Sequence, residues 1–70
     1  MKLEKMINRI MNSLDFNELE IRENNAGCDF KGTLEHYREV VKEKINEGIE
    51  EETIISEVQE LIDNDYSCEN

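Results

Sequence analysis

The sequence predicts an α+β fold: a small single domain in which three helices cover a short antiparallel hairpin, in the order α-β-β-α-α. Three observations predict it. Apolar residues recur at helical spacing toward both ends of the 70-residue chain, apolar and polar residues alternate between residues 18 and 31, and Asn- and Gly-containing breaks separate these regimes.

The first helix is expected over residues 2–13. Leu3, Met6, Ile7, Ile10, Met11 and Leu14 form its apolar stripe, and Lys2, Glu4, Lys5, Asn8, Arg9 and Asn12 face water. Asn12 and Ser13 are poor helix continuers and end it. Leu19 and Ile21 then alternate with Glu18, Glu20 and Arg22, the pattern of a half-buried strand. Asn24-Asn25-Ala26-Gly27 reads as a hairpin turn, and Cys28 and Phe30 alternate with Asp29 and Lys31 as the return strand. Two strands are not stable alone in water, so the helices are expected to cover one face.

Thr33 is placed to cap the second helix, whose stripe is Leu34, Tyr37, Val40, Val41 and Ile45, running to about residue 46. Gly48 stands where a left-handed C-cap belongs, with Ile49 as its apolar contact. The third helix is expected from residue 50 or 51 to 63, with Ile54, Ile55, Val58, Leu61 and Ile62 inward. Glu50, Glu51 and Glu52 suit the dipole at its start, whereas Asp63 and Asp65 oppose the dipole at its end. The compact domain is therefore expected to span 1–64, with 65–70 as a flexible acidic tail.

Charge narrows the function. Eighteen acids against eight bases leave a net charge of −10. Residues 1–35 carry five bases and seven acids, residues 36–70 three bases and eleven acids, and no base follows Lys44. Such a surface repels nucleic acid and anionic membrane and attracts basic protein surfaces. The segment 40–62 has the layout of a helix-turn-helix, but residues 50–63 contain no Lys or Arg to meet phosphates. Direct nucleic-acid binding is thus not expected, nor is membrane association. The interrupted apolar pattern of Met1–Met11 is not that of a secretory signal, so a soluble, cytoplasmic protein is expected.

No motif names a reaction, and an enzyme is not expected. His36 is the only histidine, beside Glu35, and nothing near it in sequence completes a nucleophile–base pair. Glycines 27, 32 and 48 are not in phosphate-loop spacing. Cys28, His36 and Cys68 are too scattered for a zinc site, and Asp63-Asn64-Asp65 opens like an EF-hand loop without the glycine and glutamate that should follow. No metal or cofactor is expected. Cys28 and Cys68, forty positions apart, read as reduced thiols, with an oxidised pair as the alternative.

The remaining candidate is the acidic third helix. Residues 50–63 span roughly 21 Å at 1.5 Å per residue and carry six acids, about one per 3.5 Å, where one strand of B-DNA presents a phosphate per 3.4 Å. Glu50, Glu51 and Glu52 cluster, while Glu57, Glu60 and Asp63 line up at i, i+3 and i+6. These six are the expected partner-binding residues. In size and charge the chain resembles the small acidic inhibitors encoded by phages and mobile elements, including DNA mimics and anti-CRISPR proteins. The resemblance implies an inhibitor or regulator that occludes a basic surface of a nucleic-acid-binding partner protein. The alternative is a regulatory adaptor that binds a partner, or itself as a homodimer, through an apolar surface edged by Met11, Phe16, Tyr37 and Tyr66.

Overall fold

A computed structural model describes residues 2–66 of the chain, and these form four helices. They are α1 (Lys2–Ser13), α2 (Asn17–Ala26), α3 (Phe30–Asn46) and α4 (Glu51–Asp63). Helices α1, α3 and α4 pack against one another, and α2 packs on α3 and α4. The core takes Ile7 and Ile10 from α1, Leu14 just after it, Leu19 from α2, Tyr37 and Val41 from α3, and Ile54, Val58 and Ile62 from α4.

The expected α+β hairpin is wrong. No strand is present among the described residues, and the segment read as strand, turn and strand is α2, the link Gly27-Cys28-Asp29 and the start of α3. The alternation of Leu19 and Ile21 misled because only Leu19 is inside, at 1% exposure, while Ile21 is 61% exposed. The second inward position of α2 is Glu23, four residues on and 2% exposed. A carboxylate at i+4 hides the helical period from any reading of apolar spacing. The supposed hairpin turn is a helix end. Gly27 lies at φ +77°, and the Gly27 and Cys28 amides donate to the carbonyls of Asn24 and Glu23 at 3.2 and 2.9 Å.

Helix α3 also starts earlier than Thr33. Asp29 caps it, its side chain accepting from the Lys31 amide at 3.1 Å. Phe30, expected on a strand, opens the helix and packs edge-on against Phe16, their centroids 6.2 Å apart. Tyr37 meets the same Phe16 ring at 5.9 Å, so the aromatic residue before α2 seats that helix on α3.

The outer elements follow the expected bounds closely. Gly48 adopts φ +84°, and the Gly48 and Ile49 amides donate to Ile45 and Lys44 carbonyls at 3.0 and 3.2 Å. This is the paired bonding of a Schellman turn, and Ile49 packs back on the core as its apolar contact. Asp65 and Tyr66 lie against the helices: the Tyr37 hydroxyl donates to Asp65 Oδ2 at 2.5 Å, and Arg22 donates to the Asp65 carbonyl and lies over the Tyr66 ring, 4.3 Å from its centroid. The rest of the expected tail, residues 67–70, lies outside the described residues. Cys28 is disulfide-bonded, where a reduced thiol was expected; Cys68 lies outside the described residues.

Candidate functional site

Helix α4 buries Ile54, Val58 and Ile62, one side chain per turn. Glu52, Ser56 and Glu60 repeat at the same four-residue spacing, offset by two positions, which rotates them about 200° to the outer face. Asp63 extends this outer ridge by one turn. Glu52, Glu60 and Asp63 are all exposed. Glu50 is exposed as well, but as the extended residue before the helix, at φ −65° and ψ 148°.

Two of the six expected contact residues are ion-paired within the molecule. Glu51 Oε1 lies 2.7 Å from Arg9 Nη2 on α1, and Glu57 Oε1 lies 2.9 Å from Lys44 Nζ on α3. These exposed pairs add little to stability, yet in each a cation offsets the charge its carboxylate presents outward. The line at 57, 60 and 63 therefore weakens at its first position, whereas Glu52, Glu60 and Asp63 on the outer ridge enter no ion pair among the described residues.

Tertiary structure enlarges this surface in a way that spacing did not indicate. Asp15 and Glu18, from the link before α2 and its first turn, border a cleft of about 260 Å³ together with Asp63, Leu19, Ile62 and Arg22. Gln59 builds the corner. Its Oε1 accepts from the Asp15 amide at 2.8 Å, and its Nε2 donates to the Asp15 carbonyl and to Asp63 Oδ1, both at 3.0 Å. One neutral amide thus holds two carboxylate-bearing residues from elements more than forty positions apart. The Arg22 guanidinium at this corner is engaged with Asp65 and Tyr66.

A second cavity, of about 390 Å³, opens between α3 and α4 and is lined by Lys44, Glu57, Glu60, Leu61 and Asn64. Leu61, expected inside, is 49% exposed there. Its position at the edge of the buried stripe lets α3 cover only one side of it.

Behind the acidic face sits a buried polar group. Glu23 Oε2 accepts from the Thr33 hydroxyl at 2.9 Å, while Oε1 is buried without a hydrogen-bond partner. Burial raises the Tyr37 hydroxyl well above its ordinary value near 10, reinforced by its hydrogen bond to Asp65 and by the negative charges of Asp65 and Glu23. His36 stands exposed on α3, its ring edge-on to Tyr37 with centroids 5.2 Å apart.

No group of three or more His, Cys, Asp or Glu among the described residues is placed to hold a metal ion. No helix among them is long and apolar enough to cross a membrane. No family model, curated protein or solved structure matches the chain.

Proposed function

We propose that this chain is a small acidic regulator that binds a partner protein by occluding a basic, nucleic-acid-handling surface. The observation that carries the reading is the continuity of exposed carboxylates along the α4 ridge (Glu52, Glu60 and Asp63) into the corner formed by Asp15 and Glu18. A surface dominated by carboxylates speeds encounter with an oppositely charged partner. Lys and Arg side chains that normally meet phosphates would meet carboxylates instead, and nucleic acid would be displaced from them.

Rigidity supports the same reading. The ridge residues sit on a helix anchored by three buried apolar side chains, and the corner is clamped by Gln59. A backbone held in place loses little conformational freedom on binding, which favours affinity.

The test is a charge-reversed variant, Glu52→Lys with Glu60→Lys and Asp63→Lys, compared with the parent in capture from nuclease-treated lysate. Helicity by circular dichroism should match the parent. The parent should retain a nucleic-acid-binding protein at low salt and release it at roughly 0.5 M, where the screening length falls to a few ångströms. The variant should retain none. Retention of the same protein by the folded variant would remove the acidic ridge from the interaction.

A further inference from the structure

The groove around Leu61 adds a recognition element of a different kind. We propose that it receives one apolar side chain from a basic amphipathic segment of the partner, so that recognition combines a hydrophobic anchor with the surrounding charge. This inference rests on the reading of the acidic face given above.

Leu61 is one of few large apolar side chains left exposed among the described residues, and it lines the cavity between α3 and α4. Glu57, Glu60 and Asn64 stand around it on the same helix, and Lys44 faces it from α3. The Lys44 ammonium is tied to Glu57 at 2.9 Å, which leaves its aliphatic stem to line the groove. The walls are accordingly more apolar than polar although four of the five lining residues carry polar or charged heads. At about 390 Å³ the space is ample for a leucine, methionine or phenylalanine side chain.

Charge selects the occupant. An apolar anchor entering here brings its neighbours alongside Glu60 and the Lys44-paired Glu57, with Glu52 two turns before Glu60 on α4. Lys or Arg flanking the anchor is therefore matched, and an acidic flank is repelled. A second copy of this chain would bring the same glutamates against themselves, at a net charge of −10 on each molecule. Helix-in-groove recognition of a basic amphipathic segment fits both the apolar floor and the acidic rim.

The experiment uses the full chain and two synthetic peptides of equal length and charge. One is a lysine–leucine helix with a single leucine stripe; in the other every leucine is serine. Binding is followed by fluorescence anisotropy at two salt concentrations, with the parent, Leu61→Ser, and Ile21→Ser as a control that removes a still more exposed apolar side chain from α2. The parent should prefer the leucine peptide by roughly tenfold, the size expected for one buried apolar anchor. Leu61→Ser should lose that preference and keep the salt dependence, and Ile21→Ser should behave as the parent. Equal binding of both peptides to the parent would overturn the anchor while leaving the acidic-face reading standing. A preference that survives Leu61→Ser would overturn it too. Failure of the parent to bind either peptide at low salt would remove the acidic-face reading together with the anchor.

Discussion

Gln59 on α4 grips the backbone of Asp15 from both sides, accepting from its amide at 2.8 Å and donating to its carbonyl at 3.0 Å. The pair closes the corner between α1, α2 and α4, and the second amide hydrogen of Gln59 reaches Asp63. Gln59→Ala should cost about 1–2 kcal/mol, the range for two hydrogen bonds of ordinary net value. Urea denaturation measures the loss. The same variant should weaken partner binding beyond what its stability change explains, since Asp15 and Asp63 lose their common anchor. Unchanged affinity at full folding would show that the corner acids do not act together.

The helical assignment of α2 makes a sharp contrast between two neighbouring apolar residues. Leu19 is buried and Ile21 is exposed. Leu19→Ala should cost about 2–5 kcal/mol, a large part of the stability available to a domain this small. Ile21→Ala should change stability by less than about 0.5 kcal/mol. A strand with both residues facing the core would give comparable losses, so thermal or urea unfolding of the two variants separates the architectures.

Glu23 is held in the interior by the Thr33 hydroxyl, with its other oxygen unpartnered. Thr33→Val should therefore cost about 1–3 kcal/mol, because a buried carboxyl would lose the hydroxyl that donates to it. In a Glu23→Met background the same substitution should be close to neutral. Glu23→Met alone should leave stability unchanged or raise it, as replacing buried charge by apolar volume often does. A double-mutant cycle reads the coupling directly; equal costs for Thr33→Val in both backgrounds would mean that the pair contributes nothing.

Tyr37 should make the fold sensitive to alkali. Its hydroxyl is pushed up chiefly by burial, then by its hydrogen bond to Asp65 and by the charges of Asp65 and Glu23. The folded state therefore holds the phenolic proton at pH values where the unfolded chain has released it. Stability from this group is fully present below the ordinary value near 10 and falls as pH rises past it. Tyr37→Phe should cost about 1 kcal/mol at neutral pH through the lost hydrogen bond, and should flatten the decline above pH 10. Urea midpoints measured from pH 7 to 11 test both statements; an equally steep alkaline decline in the variant would assign it to other groups.

The chain by itself determined the two outer thirds of the molecule. The stripe from Leu3 to Leu14 and the stripe from Ile54 to Ile62 each repeat at helical spacing without a polar interruption on the inward side, so burial and local periodicity agree. Gly48 followed by Ile49 likewise carried its turn in two residues, because positive φ is a local requirement and the apolar contact is next in sequence. The acidity of α4 was equally open to reading, since charge needs no fold to be counted. The middle third was decided by tertiary structure. Leu19 with Ile21 alternates like a strand, and only packing against α3 and α4 decides that Leu19 turns inward, Ile21 stays wet, and Glu23 fills the next inward position. The candidate site divides in the same way. Glu52, Glu60 and Asp63 are legible in the sequence as acids of one helix, although their spacing grouped Glu52 with Glu50 and Glu51, and Glu60 and Asp63 with Glu57. Their pairing losses at Glu51 and Glu57, their extension to Asp15 and Glu18, and the exposure of Leu61 all depend on which helix lies beside which. Periodicity is a property of one segment, whereas contact between segments forty residues apart is settled by how their buried faces share one core.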